Sequence, residues 1–161
     1  MMLYIGVDPG KSGGIAIVLE VDARLVVHAV TPMLVAGREI DLTATAEWID
    51  ERIGDANATC YIEKVSAMPK QGVTSMFNFG FSTGAIHGIM ATLGIPRHLV
   101  TPQRWKKIVL VNTKKDKEAA IDFCRRSYPD VSLLATDRSW KAHSGMADAI
   151  CIASYALIYE S

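Results

Sequence analysis

Hydrophobic and polar positions along the first 65 residues predict three strands, a helix and a fourth strand. Apolar positions at helical spacing mark residues 43–53, and this pattern ends at Gly54. Residues 58–65 then return to a strand pattern. The first three strands are predicted at apolar runs separated by turns, at residues 3–7, 14–19 and 24–30. The predicted order of this half is therefore βββαβ.

The rest of the chain has mainly helical patterns. A long helix is predicted at 74–93, followed by a short strand at 97–100. Further helices are predicted at 102–109, at 114–127 with Asn112 or Thr113 as its cap, and at 145–159. The last helix carries almost no charge after its first turn, which predicts that it is buried against the sheet.

Composition narrows the classes of protein that this sequence could form. The chain has 161 residues, of which 50% are hydrophobic and 21% charged, so one globular domain spanning residues 1–161 is expected. No apolar run reaches the roughly 18–20 residues that a membrane span requires. The first residues lack the features of a secretion signal, which predicts a cytoplasmic protein with no membrane partner.

Charge is unevenly distributed although the formal net charge is zero. Positive residues are concentrated between Arg97 and Arg126, where they far outnumber the acidic ones. Such a segment is a candidate surface for nucleic acid. The charge of the whole chain provides no long-range attraction for DNA or RNA.

Three acidic residues lie on separate elements, each among apolar neighbours. Asp8 ends the first strand, Glu63 lies in the fourth, and Asp148 lies in the first turn of the last helix. Each could have a local role, as a turn cap, an ion-pair partner or a helix-start residue. If they meet, their mutual repulsion calls for a cation, and Mg²⁺ favours carboxylate, water and phosphate oxygens. The alternatives are three local roles or one metal site for phosphodiester chemistry.

Several stretches, taken in order, resemble the RuvC family of Holliday junction resolvases. They are "GVDPG" and "IEKV" on strands one and four, "MPKQGVTSMFNFG" with "VTPQRWKK", and "ADAICIA" on the last helix. The resemblance implies an α/β ribonuclease H-like fold, with a mixed five-stranded sheet in the order βββαβαβα and flanking helices. It also implies an endonuclease that makes paired symmetric nicks in four-way DNA junctions. A homodimer, two Mg²⁺ or Mn²⁺ ions per site, no small-molecule cofactor, and the cytoplasm of a bacterial or phage-infected cell are implied with it.

The resemblance also implies roles for individual residues in the metal site. Asp8, Glu63 and Asp148 match the metal-binding carboxylates of the family. The family's usual fourth ligand, an acid or a histidine, falls here on Gly145 or Ser144, so Ser144 is the candidate from this segment. His143 is a further candidate, as ligand or acid–base residue, or it is an exposed loop histidine.

DNA contacts are implied in two segments. Lys106 and Lys117 match basic positions near the family's active site, and Lys117 is expected to stabilise charge during cleavage. The loop after Glu63 matches the region that approaches the junction centre, with Met68 as a wedge between bases. The remaining candidates for DNA contact are Lys70, Gln71, Arg104, Lys107, Lys114 and Lys115.

The long helix carries two further patterns. Its phenylalanines Phe77, Phe79 and Phe81 are predicted to be core residues. Gly80, Gly84 and Gly88 recur every four residues, so this stripe either packs tightly on the sheet or contacts the same helix of a second copy. The family resemblance favours the dimer contact.

Three other functions fit some of these features. An actin-like or sugar-kinase-like phosphotransferase also ends its first strand in Asp followed by glycines, but it needs two domains, for which this chain is too short. A ribonuclease H-like enzyme that cleaves RNA–DNA hybrids or structured RNA keeps the same carboxylates. A non-catalytic junction-binding protein would explain the absent fourth acid.

Overall fold

The structure is a computed structural model that describes residues 1–66, 69–113, 116 and 118–160. Four residues predicted to contact DNA lie outside the described residues: Met68, Lys114, Lys115 and Lys117.

Seven strands and five helices follow one another along the described chain. In order they are β1 (Met2–Asp8), β2 (Gly14–Val21), β3 (Arg24–Pro32), β4 (Val35–Ala36), β5 (Glu39–Ile40), α1 (Leu42–Ile53), β6 (Asn57–Glu63), α2 (Val73–Thr92), β7 (Arg97–Val100), α3 (Pro102–Val109), α4 (Ala119–Ser127) and α5 (Ser144–Glu160).

Five of these strands form one mixed sheet in the spatial order β3-β2-β1-β6-β7. The β1–β2 and β2–β3 pairs are antiparallel, whereas β1–β6 and β6–β7 are parallel. In the parallel β1–β6 pair, Val7 lies opposite Ile62, so Asp8 and Glu63 end neighbouring strands at the same edge. The predicted α/β class with a mixed five-stranded sheet is confirmed.

Helices cover both faces of this sheet. On one face, α1 and α2 bury residues such as Ile49 and Met90 against β1 and β2. On the other face, α3, α4 and α5 bury residues such as Trp105 and Ile121. Burial on nearly all sides of α5 explains why its sequence lacks the alternation of a surface helix. The prediction that α5 packs on the sheet is confirmed.

Two local predictions are wrong. The helix predicted from residue 114 begins at Ala119, so neither Asn112 nor Thr113 is its cap. Asn112 adopts a left-handed backbone conformation with φ of 61°, and the Thr113 hydroxyl donates to the Leu110 carbonyl at the end of α3. The β4–β5 hairpin was not predicted, because its strands of two residues are too short to display a period.

Within the described ranges, no helix combines the length and the apolar character needed to cross a bilayer.

Candidate active site

The turn between β1 and β2 holds the Asp8 side chain in place. The Gly10 amide donates a hydrogen bond to the Asp8 carboxylate, and the Gly13 amide donates to the Gly10 carbonyl at 2.9 Å. A Cβ atom on Gly13 would collide with the Asp8 carbonyl. The glycine-rich sequence therefore forms a turn too tight for other residues, with one of its amides directed at the carboxylate.

The first turn of α5 packs directly on this glycine turn. A Cβ atom on Gly145 would collide with the Ser12 carbonyl and would lie 2.6 Å from Gly13 Cα. A Cβ atom on Gly14 would lie 2.8 Å from the Gly145 carbonyl. This backbone contact brings Asp148, one turn further along α5, to the edge of the sheet where Asp8 lies.

The three acidic side chains interact electrostatically. Burial raises the pKa of Asp8 to about 7, with further increases from the charges of Glu63 and Asp148. Burial also raises the pKa of Asp148 to about 6; Lys106 opposes that shift and Glu63 adds to it. Asp8, Glu63 and Asp148 therefore lie close enough to interact, and Lys106 balances part of their negative charge.

A buried tryptophan positions Glu63. The Trp105 indole N–H donates to Glu63 Oε2 at 2.7 Å, and the Trp105 side chain has no exposed surface. Trp105 belongs to α3, whose start is capped by the Thr101 hydroxyl accepting from the Arg104 amide. Sequence reasoning missed this contact. The available signal was that a tryptophan in a core position needs an acceptor for its N–H.

Lys106 is the predicted DNA-contacting residue that the structure brings to the carboxylates. Its ammonium group opposes the raised pKa values of Asp8 and Asp148. The same group lies 5.1 Å from the centroid of the Trp105 ring. Adjacent side chains of α3 thus have complementary contacts, since Trp105 holds Glu63 and Lys106 faces the other two acids.

A cleft of about 860 Å³ opens beside these groups. Lys106, Lys107, Ser144 and Asp148 are among its lining residues. Arg104 lies elsewhere: its guanidinium is 5.0 Å from the centroid of the Tyr159 ring, about three turns along α5 from Asp148. The cleft therefore brings two of the predicted basic residues together with Asp148, and Arg104 is separate from them.

Comparisons with known proteins rest on structure, because no family model and no curated protein matches the sequence. A structure of T. thermophilus RuvC in complex with a Holliday junction substrate is similar at a TM-score of 0.72 and 17% identity, covering 99% of this chain and 95% of that one. A second T. thermophilus RuvC structure gives 0.69 at 17% identity, with the same coverage. This chain has the RuvC fold. The yeast mitochondrial Holliday junction resolvase Ydc2 gives a TM-score of 0.59 at 11% identity, covering 96% of this chain and 76% of that one.

On this RuvC fold, the segment predicted to supply a fourth metal ligand provides no carboxylate at Ser144 or Gly145. Gly145 has no space for a side chain because the backbone of the glycine turn occupies that position. Ser144 is exposed and lines the cleft. His143 caps α5: its Nδ1 accepts from the Met146 amide at 3.2 Å, and burial lowers its pKa. The cap engages Nδ1, which leaves Nε2 as the nitrogen that could take part in chemistry.

The loop after Glu63 leads to a second cleft of about 480 Å³. Gln71, Ser66 and Gln103 are among its lining residues, and the Gln71 amide also donates to the Ser75 hydroxyl at 3.3 Å. Lys70 is exposed and adopts a left-handed backbone conformation with φ of 69°. Both predicted DNA-contacting residues are therefore at the surface, on the side where β6 ends.

The phenylalanines of α2 are not core residues, contrary to prediction. Phe77 is 73% exposed and Phe81 is 44% exposed. Phe79 is partly buried, and its ring lies 3.5 Å from the position of a Cβ atom on Gly10. Alternate residues of a helix point in different directions, so this run cannot share one buried face.

The donor set of the carboxylate site suits a hard divalent cation. Asp8, Glu63 and Asp148 offer carboxylate oxygens, which Mg²⁺ and Mn²⁺ prefer. The raised pKa values of Asp8 and Asp148 show negative charge that a cation would relieve. Among the described residues, no group of three His, Cys, Asp or Glu side chains could hold a metal ion on its own. Water and phosphate oxygens would have to complete the coordination shell.

Proposed function

We propose that this protein is a metal-dependent endodeoxyribonuclease that resolves four-way or branched DNA junctions by paired symmetric nicks. The observation that carries the proposal is the electrostatic coupling of Asp8, Glu63 and Asp148 beside a cleft that also contains Lys106. Further support comes from the fold, which is shared with RuvC in complex with a Holliday junction substrate. Residues 1–161 act as one nuclease domain.

Asp8, Glu63 and Asp148 would hold Mg²⁺ or Mn²⁺, two ions per site. When bound, these ions would supply an activated water and stabilise the leaving oxygen of the phosphodiester. The protein's own groups position the carboxylates for this task. The Gly10 amide orients Asp8, the Trp105 indole orients Glu63, and the packing of Gly145 on the turn positions Asp148.

Lys106 and the neighbouring basic residues would bind the DNA backbone. Lys106 lies beside the acids, where an ammonium group can hold a phosphate and offset charge that develops on it. Lys107 lines the same cleft and would contact the backbone next to it. Lys117, in the same basic segment, would add charge stabilisation, and Ser144 or His143 Nε2 would contribute at the open side of the site.

A homodimer is part of the proposal, with the outer face of α2 as the contact surface. This face carries exposed apolar side chains at helical spacing, Val73, Met76, Phe77 and Phe81. A Cβ atom on Gly80, Gly84 or Gly88 would meet no atom within 4 Å in the described chain, so the glycine stripe does not pack on the sheet. A second copy would cover both features, and two active sites would account for paired nicks.

The first test is cleavage of an end-labelled four-way junction with Mg²⁺ or Mn²⁺, beside a linear duplex and an RNA–DNA hybrid. Symmetric nicks in the junction are expected. Asp8→Asn should abolish them without weakening junction binding, whereas Asp22→Asn, in the exposed β2–β3 turn, should cleave like the parent.

The other substrates distinguish the competing functions. Cleavage of the hybrid alone would assign a ribonuclease H-like activity. Tight junction binding without nicks under either metal would make the protein a non-catalytic junction binder.

A further inference from the structure

Trp140 is an exposed aromatic residue that the proposed cleavage chemistry leaves unused. Its side chain is 91% exposed, more than any other large hydrophobic side chain of the described residues. Tryptophan has a large apolar surface and is highly buried on average in folded proteins. The Trp140 side chain is therefore available to a ligand, and the residues around it decide which kind.

An ordered loop presents the Trp140 indole to solvent. Just before it, the Ser139 amide donates to the Thr136 carbonyl at 2.9 Å, and the two hydroxyls of these residues are 3.0 Å apart. Just after it, the His143 amide donates to the carbonyl of the buried Leu133 at 2.8 Å. These hydrogen bonds hold the backbone on both sides of Trp140, so less of the loop has to be ordered when a ligand binds.

The charged residues next to Trp140 suit the binding of a nucleic acid. Arg138 and Lys141 are exposed on either side of it, with Asp137 as the neighbouring acid. Aromatic rings flanked by cations are the usual means of binding unpaired nucleotides, because bases stack on the ring while the cations hold phosphates.

Trp140 also lies close to the site of cleavage. It precedes Ser144, which lines the main cleft, by four residues, a distance of at most about 14 Å along the chain. Asp148 lies one helical turn beyond Ser144. The Cα atom of Trp140 is therefore within about 20 Å of the Cα atom of Asp148, the length of about six nucleotides at 3.4 Å per nucleotide.

We propose that Trp140 is a stacking site for an unpaired base of the branched DNA substrate, within about six nucleotides of the phosphate that is cleaved. The inference rests on the proposed function. Within a duplex both faces of every base are covered by neighbouring bases, so an exposed indole can stack only where the helix is interrupted. Trp140 thereby favours branched DNA over a continuous duplex.

The test measures binding without cleavage, in the Asp8→Asn background. Fluorescently labelled four-way junction and linear duplex of matched sequence are titrated at one salt concentration with Trp140→Ala and with Trp140→Phe. Trp140→Ala should weaken junction binding by about 5- to 100-fold and change duplex binding by less than about 2-fold. Trp140→Phe keeps an aromatic ring and should retain most of the affinity.

A second measurement locates the base. Junctions carrying 2-aminopurine at single positions within six nucleotides of the nick should show one position whose fluorescence is quenched by the parent and by Trp140→Phe. That quenching should be absent with Trp140→Ala.

Several results would overturn the inference. These are an unchanged affinity of Trp140→Ala for the junction, an equal loss on junction and duplex, or a shift from dimer to monomer in light scattering, which would make Trp140 a subunit contact. If Trp140→Ala leaves junction affinity unchanged while the parent still cleaves junctions, the stacking proposal is wrong and the proposed function stands. If the parent neither binds nor cleaves junctions, both fail.

Discussion

The carboxylate edge, where β1, β6 and the start of α5 meet, differs from the outer face of α2 in how each is packed. At the carboxylate edge, backbone packs on backbone so closely that Gly6, Gly13 and Gly145 have no space for a Cβ atom. On the outer face of α2, a Cβ atom on Gly80, Gly84 or Gly88 would meet no atom within 4 Å among the described residues, and Phe77 is exposed on the same helix. Glycine therefore occurs both where backbones pack closely and where the surface is open.

Each region is incomplete in its own way. The carboxylate edge holds buried acids that repel one another, and among the described residues Lys106 balances only part of their charge. The outer face of α2 exposes apolar surface that water solvates poorly. The proposed cation would complete the first region and a second copy of the chain would complete the second. Glycine-to-alanine substitutions in the two regions should accordingly differ in sign as well as in size.

The largest effect is expected from Gly6→Ala, at the centre of the close packing. The new Cβ atom would collide with the Ala149 carbonyl and the Ala153 amide on α5, neither of which can move without displacing the helix. We expect a loss of about 3 kcal/mol or more in the free energy of unfolding, measured by urea denaturation. Cleavage should fall with it, because α5 carries Asp148.

Gly84→Ala is the matched control for this substitution, since its Cβ atom would enter open space. A Gly6→Ala protein as stable as the parent would show that α5 does not depend on this contact. Closely packed and open glycines would then tolerate a methyl group equally well.

The next effect concerns the tryptophan that positions Glu63. Trp105→Phe keeps an aromatic ring but removes the N–H that donates to Glu63 Oε2 at 2.7 Å. Loss of a hydrogen bond to a charged group, together with the smaller ring in a fully buried position, should cost about 2–3 kcal/mol. Cleavage at saturating substrate should fall more than junction binding does.

Trp48→Phe is the control, because Trp48 stacks with Arg52 on α1, on the other face of the sheet. Equal losses of stability with unchanged cleavage in both variants would assign Trp105 a purely structural role.

These contacts also show what sequence could and could not predict. The sheet strands and α5 were predictable because each is a long apolar run bounded by turn residues or charges. The Trp105–Glu63 hydrogen bond joins residues 42 positions apart, and no local pattern encodes such a distance. The three phenylalanines of α2 follow one another at alternate positions, which leaves their faces undetermined until the helix is placed on the sheet. The sequence shows that Gly145 has no side chain, but only the structure shows that backbone atoms of the glycine turn occupy the place where one would lie.

A third effect follows from the charge at the carboxylate edge. In the folded protein the pKa of Asp8 is about 7, against 3.8 for an unperturbed aspartate. Between these values the folded state holds a proton that the unfolded state has released, so the metal-free protein should lose stability as pH rises from about 4 to 7. Above pH 7 the contribution of Asp8 is constant. Asp8→Asn cannot ionise and should be more stable than the parent at pH 8.

Thermal unfolding in EDTA across this pH range would measure the difference between Asp8→Asn and the parent. Asp22→Asn should follow the parent curve because Asp22 lies in an exposed turn. Mg²⁺ should raise the melting temperature of the parent at pH 8 more than that of Asp8→Asn, since a ligand stabilises the state that binds it. A difference in stability between the parent and Asp8→Asn that stays constant from pH 4 to 7 would contradict the burial and repulsion argued for Asp8.

The smallest effect on stability, and one of opposite sign, is expected on the open face of α2. Gly84→Ala removes backbone freedom from the unfolded chain and places a methyl group in open space, so the folded monomer should gain about 0.5–1 kcal/mol. The same methyl group would separate two copies that approach along the glycine stripe, so light scattering should show more monomer at a given concentration.

Phe77→Glu should also favour monomer, by placing charge on the apolar surface. Val35→Glu, at an exposed site in the β4–β5 hairpin, should leave the association state unchanged. A Gly84→Ala protein that is more stable and equally dimeric would show that the glycine stripe is open in the monomer but does not form the subunit contact.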